Sequence, residues 1–231
     1  MIENNAVIPA TKLENDFYDW WERHEEKKRL VAARKDFELV FIGDSITHLF
    51  EVSDAVPMRG GRIWNEFYGL RKPLDLGFGW DRTQNVLWRL QNGEFDRLAP
   101  KLVVLNIGTN NLTGTGNART NTVEEIEEGI AAICSVLRKM SPASVILVMG
   151  IFPRGQPDDP LRAQIRGLNQ RLASSVGAWP RTPFMEIGDR FLDSEGRIPV
   201  EWMNDLVHPT EAGYRIWAEA IEPVVRAVCQ R

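Results

Sequence analysis

Short apolar runs alternating with helical patterns set the tightest limit on what this chain can fold into. Phe37-Glu38-Leu39-Val40-Phe41-Ile42, Leu102-Val103-Val104-Leu105-Asn106-Ile107 and Val145-Ile146-Leu147-Val148-Met149 are too short for helices. They are also almost continuously apolar, as strands buried on both faces are. A weaker strand lies at Arg62 to Trp64 and a short extended piece at Leu74-Asp75-Leu76, and Pro183-Phe184-Met185-Glu186-Ile187 reads as the last strand. Helical periodicity fills the gaps: Glu14 to Arg34, Gln84 to Leu90, Thr122 to Met140, Leu161 to Val176 and Glu211 to Val228. The Thr122 helix carries acids in its first turn and Arg138-Lys139 in its last, matching the helix dipole. Such alternation predicts a mainly parallel sheet covered on both faces, a three-layer α/β domain. Right-handed crossovers then bring the carboxyl ends of the strands to one edge. No repeat, linker or low-complexity tract interrupts the pattern, so residues 1–231 read as one domain, with residues 1–35 as a helical segment packed on it.

Chemistry-bearing residues collect at that edge. Gly43-Asp44-Ser45 follows the first strand run, where the chain turns into a helix and backbone N–H groups are exposed. Far along the chain, Asp205-Leu206-Val207-His208 places a carboxylate and an imidazole within one turn. Together they supply a nucleophile, a base and a group that orients the base. The chain has only 3 histidines. His24 falls in a charged helical stretch and reads as a solvated face residue. His48 lies near Ser45 on the predicted helix without an adjacent carboxylate, which leaves His208 as the preferred base. Gly108-Thr109-Asn110-Asn111 ends another strand run, and an Asn amide there either donates into the crevice or closes the strand as an Asx turn. Leu76-Gly77-Phe78-Gly79-Trp80-Asp81-Arg82-Thr83 opens a helix on glycines, yet Arg82 occupies the last place of Gly-x-Gly-x-x-Gly, so a dinucleotide fingerprint is incomplete.

These four blocks, in this order, resemble the SGNH (GDSL-type) hydrolase superfamily. The segment from Leu76 to Leu90 is especially similar to the branch holding the platelet-activating-factor acetylhydrolase catalytic subunits and bacterial carbohydrate acetylesterases. The resemblance implies a flavodoxin-like fold with a central, mainly parallel five-stranded sheet. It also implies Ser45 as nucleophile, His208 as base and Asp205 as its orienting acid. The oxyanion donors would be the Ser45 N–H, the Asn110 amide and the N–H before Asp81. The family usually has glycine at that last position, where this chain has Trp80; Gly79 is the fallback donor. Asp44, Trp80 and Trp202 are the expected substrate-facing residues. Trp88 and Trp217 fall at core-like helical spacings. The loops Gly114-Thr115-Gly116-Asn117 and Gly155-Gln156-Pro157-Asp158-Asp159-Pro160 are expected to shape the substrate rim. The Gly-x-Ser-x-Gly elbow of the other large Ser-His-Asp esterase fold is absent, because Thr47 holds its final place.

The expected activity is that of a serine esterase removing short acyl groups, acetyl foremost, from a carbohydrate or similar small ester. A lysophospholipase or general carboxylesterase is the second reading within enzymes, and a non-catalytic binding module the reading from another class. The mechanism calls for no metal and no cofactor, and Cys134 and Cys229 fit no metal-ligand spacing. A net charge of −4 argues against nucleic acid or an anionic membrane as main partner. No run approaches the roughly 20 apolar residues of a membrane span. Met1-Ile2-Glu3-Asn4-Asn5 lacks signal-peptide features, which favours the cytoplasm unless a leader precedes the chain. Homo-oligomers are left open, since one sequence does not divide apolar helix faces between core and interface.

Overall fold

The computed structural model describes residues 3–53 and 59–229. Five strands form one sheet: β1 (Leu39–Gly43), β2 (Pro73–Gly77), β3 (Leu102–Asn106), β4 (Val145–Met149) and β5 (Phe184–Met185). Their order is β2-β1-β3-β4-β5 and every pairing is parallel. The helices are α1 (Trp20–Ala33), α2 (Ser45–Glu51), α3 (Gly61–Tyr68), α4 (Thr83–Gln91), α5 (Val123–Met140), α6 (Pro160–Ser174) and α7 (Glu211–Val228). This is the three-layer α/β/α arrangement expected from the alternation.

The period-2 geometry of strands divides the core in two. Val40, Ile42, Val103, Leu105, Ile146 and Val148 face one side, against α4, α5 and α6, with Val31 of α1 joining them. Leu39, Phe41, Leu102, Val104, Leu147 and Met149 face the other, against α2, α3 and α7. β1 and β3 are buried at every position, which explains why their sequences show no polar alternation. The chain leaves β1 in one direction and β3 in the other, so a crevice opens beyond their carboxyl ends. Ser45 and Asn110 stand beside it.

Local chemistry sets the helix ends. Thr122 accepts the Glu125 N–H while Glu125 reaches back to the Thr122 N–H, a reciprocal cap that starts α5. Asp159 caps α6 through the Leu161 N–H, with Pro160 at the first helical position. Gly77 ends β2 directly under α2, where a Cβ would strike the His48 N–H. Glycine is therefore what lets the nucleophile's helix sit on the sheet.

Three local expectations are corrected. Arg62 to Trp64 is not a strand but part of α3, whose Ile63, Trp64 and Tyr68 share one buried face; three residues are too few to separate the two periods. α1 begins at Trp20 rather than Glu14, because the Asp19 carboxylate accepts the N–H groups of Trp21 and Glu22 and fixes the start there. β5 is confined to Phe184–Met185, since Glu186 turns to accept the Gly188 N–H. Cys134 and Cys229 are both buried and free. No helix among the described residues is long and apolar enough to cross a membrane.

Candidate active site

Ser45 is the first residue of α2, immediately after β1. Its Oγ lies 2.8 Å from His208 Nε2, and His208 Nδ1 lies 2.7 Å from Asp205 Oδ2. Leu206, at φ +63°, turns the chain so that the second Asp205 oxygen accepts the N–H groups of Val207 and His208 at 2.9 and 2.7 Å. One carboxylate thus holds both the imidazole and the loop carrying it. Burial alone would raise the Asp205 carboxyl, but the hydrogen bonds from His208 outweigh it and bring it down to about 2. Asp205 is consequently anionic at neutral pH and keeps the proton on Nδ1, leaving Nε2 to accept from Ser45. The loop is tied down where the Gly155 N–H donates to the Leu206 carbonyl at 3.0 Å and the Thr210 N–H to the Trp202 carbonyl at 2.8 Å.

The residues expected to supply oxyanion donors line the same cavity as Ser45. Asn110 lies in a short turn after β3; its amide donates one N–H to the Asp81 carbonyl at 3.0 Å and keeps a second in reserve. Trp80 has φ +64° and the residue is 44% exposed. A left-handed backbone there is what glycine supplies without cost, and a tryptophan carries about 1–2 kcal/mol of strain in it. No acceptor among the described residues takes the Trp80 N–H or the Ser45 N–H. The Gly79 carbonyl accepts the Tyr18 hydroxyl at 3.2 Å, and a Cβ on Gly79 would collide with the Asp16 carboxylate.

Behind this loop runs a buried charged chain. The Trp20 indole N–H and the Arg89 guanidinium donate to the two Asp81 oxygens at 2.8 and 2.7 Å. Arg89 also pairs with Glu94, and Glu94 with His24 at 2.6 Å. Burial raises the Asp81 carboxyl to about 6, with Arg89 opposing the rise. His24 is therefore a buried partner of Glu94, not the solvated residue its charged surroundings suggest. The sequence hides this because Glu94 lies across α4 and only the fold brings it near.

Ser45, Trp80, Asn110, Asp205 and His208 line a cavity of about 740 Å³. Gly114 and Thr115 line it too, so one of the two rim loops reaches the site, whereas residues 155–160 do not. Asp44 and Trp202 are not among the lining residues. Asp44 is buried and caps α2, accepting the Ile46 N–H at 3.0 Å. Trp202 is half-buried beside the Asp205 loop, and Asn204 and Val207 take the wall position instead. His48 is buried against the rings of Phe17 and Tyr18, and burial, followed by the charge of Arg23, pushes its imidazole down to about 2, so it stays neutral. Trp217 is fully buried in the core, while Trp88 is half-buried against Trp20, Trp21 and His24. Wall residues that the motifs did not flag are Asp16, Phe17, Leu49, Arg59 and Arg154. A second cavity of about 350 Å³, beside β5, has no serine, cysteine or histidine in its lining.

Asp44 gives a pH-dependent expectation. One carboxylate oxygen has no hydrogen-bond partner among the described residues, and burial raises the group from 3.8 to about 7. As pH rises, the unfolded chain ionises first, so stability is complete below 3.8 and is lost as pH climbs through about 7. The unfolding free energy is expected to fall by on the order of 2 kcal/mol between pH 5 and pH 8 through this group. Asp44→Asn keeps the cap and removes the titration. Urea melts at both pH values check this: an unchanged slope in Asp44→Asn would assign the pH dependence to other groups.

Comparisons with known proteins bear on the family of the chain. Residues 41–216 match the model of the GDSL-like Lipase/Acylhydrolase family. The human platelet-activating factor acetylhydrolase IB subunit alpha1 is 36% identical over 230 residues, covering 98% of this chain and 89% of the relative. A GDSL-like lipase from Bacteroides thetaiotaomicron superimposes with a TM-score of 0.72 at 20% identity, covering 90% of this chain and 97% of that one. An acetyl-xylooligosaccharide esterase from Geobacillus, solved as a mutant, superimposes with a TM-score of 0.61 at 18% identity, covering 84% and 94%. The first two matches span most of the chain on sequence alone, and the fold agrees: the chain belongs to the GDSL-like lipase/acylhydrolase family and is an ester-hydrolysing enzyme.

Proposed function

We propose that this enzyme removes acetyl or similarly short acyl groups from a carbohydrate or other small hydroxylated compound, using Ser45, His208 and Asp205. The observation that carries the reading is the unbroken hydrogen-bond chain from Ser45 Oγ through the His208 ring to Asp205, opening on one cavity. His208 Nε2 takes the Ser45 proton as Oγ attacks the ester carbonyl. Asp205, already anionic, stabilises the imidazolium that results. The Ser45 and Trp80 N–H groups and the free N–H of Asn110 receive the oxyanion, and each such donor is worth roughly 10²–10³ in rate. The protonated His208 returns its proton to the departing alcohol. A water activated by the same ring then releases the acid and restores Ser45.

Two strands of support bear on the substrate. The names of the alpha1 relative and the Geobacillus neighbour share the acetyl group and differ in what carries it. The acyl half is therefore the better supported. For the alcohol half, Asn110, Thr113, Thr115 and Asn204 line the cavity with hydrogen-bonding groups, and the exposed Trp80 indole offers a face on which a sugar ring stacks. A series of 4-nitrophenyl esters tests the acyl half: kcat/KM is expected to fall by about tenfold or more from acetate to octanoate, the rough cost of a few unaccommodated methylenes. Preference for octanoate would overturn the short-acyl reading. Acetylated xylooligosaccharides and 1-acyl lysophospholipids, assayed on the same preparation, separate the carbohydrate reading from the lipid one.

A further inference from the structure

Two cations on the wall of the Ser45 cavity have no ion-pair partner among the described residues. Arg59 and Arg154 both line it, and neither forms a salt bridge there. The contrast with other partly or fully buried arginines is sharp. Arg23 pairs with Glu51 and Asp75, Arg71 with Glu222, and Arg89 with Asp81 and Glu94. Arg82 and Arg162 spend their donors on backbone carbonyls. Arg59 instead lies with its guanidinium carbon 5.0 Å from the centre of the Phe17 ring, and its Nη1 is buried without a hydrogen-bond partner among the described residues. Arg154 makes one neutral bond, from Nη1 to the Thr109 hydroxyl at 3.3 Å.

Leaving a charged donor desolvated and unpaired is costly, so an acceptor arriving with a ligand would be bound strongly. Two carboxylates also line the cavity. Asp205 is committed to His208, while Asp16 accepts the N–H of Phe17 and abuts Gly79. The two carboxylates balance the two guanidinium groups in formal charge, but neither forms an ion pair with Arg59 or Arg154, so both guanidinium groups keep donors for an arriving anion. Planar guanidinium donors bind carboxylate and phosphate oxygens with good geometry.

Resting on the esterase reading above, the geometry points to Arg59 and Arg154 as an anion-recognising subsite, so that the preferred substrate is an acyl ester whose alcohol half bears a carboxylate or phosphate. Phe17 serves this subsite by covering one face of the Arg59 guanidinium, a cation–π contact that holds the group over the cavity. The strap carrying Phe17 is anchored by the Tyr18 hydroxyl on the Gly79 carbonyl and by Glu14 on Asn117.

The test compares 3-acetoxybenzoate, its neutral methyl ester and 3-acetoxyphenyl phosphate, each rate normalised to that ester's alkaline hydrolysis. The wild-type enzyme is expected to favour one or both anionic esters over the neutral one by on the order of tenfold in kcat/KM. The carboxylate and phosphate arms identify which anion fits. The preference should shrink between 20 mM and 500 mM salt, as an incompletely buried charge interaction does. Arg59→Gln and Arg154→Gln should each lower the anionic-to-neutral ratio by roughly threefold or more, and the double variant should bring it to about one. The ratio is the readout, so a general loss of activity does not mimic the effect. Inhibition of the unaltered enzyme by 3-hydroxybenzoate against 3-hydroxybenzyl alcohol gives a measure that needs no variant, and the acid should bind more tightly. A ratio near one in the wild type, or a preference that survives in the double variant, overturns the subsite while leaving the esterase reading intact. Failure to hydrolyse any of the three esters counts against the esterase reading itself.

Discussion

Ser45→Ala is expected to lower kcat/KM for 4-nitrophenyl acetate by about 10⁴-fold or more, with KM changing far less than kcat. The reason lies in what the substitution leaves behind. The Ser45 N–H, the Trp80 N–H and the Asn110 amide remain, so a bound ester still meets its oxyanion donors. What disappears is the oxygen 2.8 Å from His208 Nε2, the atom that would form the acyl-enzyme. His208→Ala should cost a comparable factor. The double variant should cost little more than either single one, because groups that act in one proton transfer are not additive. The fold should tolerate the change: Ser45 occupies the first helical position of α2, and Asp44 supplies the cap. Stopped assays on matched, folded preparations decide it. Retention of activity within tenfold of the parent would mean that another nucleophile, or direct attack by water, carries the reaction.

How much of this could be read in advance depended on whether the signal was local. The apolar runs at β1, β3 and β4 were legible because strands buried on both faces leave an uninterrupted apolar record in the sequence. Ser45, Asn110, Asp205 and His208 were legible because each follows a strand or a turn signal and belongs to a short motif of fixed spacing. Arg62 to Trp64 was misread for the opposite reason, since a tripeptide contains neither period. His24 was misread because the charged residues beside it in sequence mask what the fold brings to it from afar, Glu94 and Trp88. Asp16, Phe17, Arg59 and Arg154 had no motif at all. Asp16 and Phe17 reach the cavity because Asp19 ends the strap and starts α1. No pattern within residues 14–19 announces where the strap will lie. Trp80 stands between these cases: its position was read from the glycine it replaces, and its φ of +64° gives the physical reason for that glycine.

The second large effect concerns stability and follows from Arg89. Its guanidinium is fully buried, stacks 4.0 Å from the centre of the Phe78 ring and pairs with both Asp81 and Glu94. Despite its burial, those two carboxylates hold the Arg89 guanidinium firmly charged. Arg89→Met keeps much of the apolar stem and removes the charge, leaving two buried carboxyls without their cation. Breaking a buried pair from one side is expected to cost about 3–5 kcal/mol of unfolding free energy. The sign of the pH dependence follows. Asp81 is already raised to about 6 with Arg89 present, and losing the cation raises it further. A carboxyl raised in the folded state favours folding at low pH, so the variant's deficit should be smaller at pH 5 than at pH 8. Urea denaturation at both pH values measures this directly, and equal deficits would mean that lost packing rather than lost charge is responsible. The same change should reach the chemistry, because the Asp81 carbonyl is the acceptor that holds Asn110 in place. Where the variant is still folded, kcat should therefore drop more than KM rises, since a loosened Asn110 withholds its hydrogen bond chiefly from the charged transition state. An Arg89→Met enzyme as stable as its parent, with kcat intact, would show that the oxyanion loop holds its shape without the buried charges behind it.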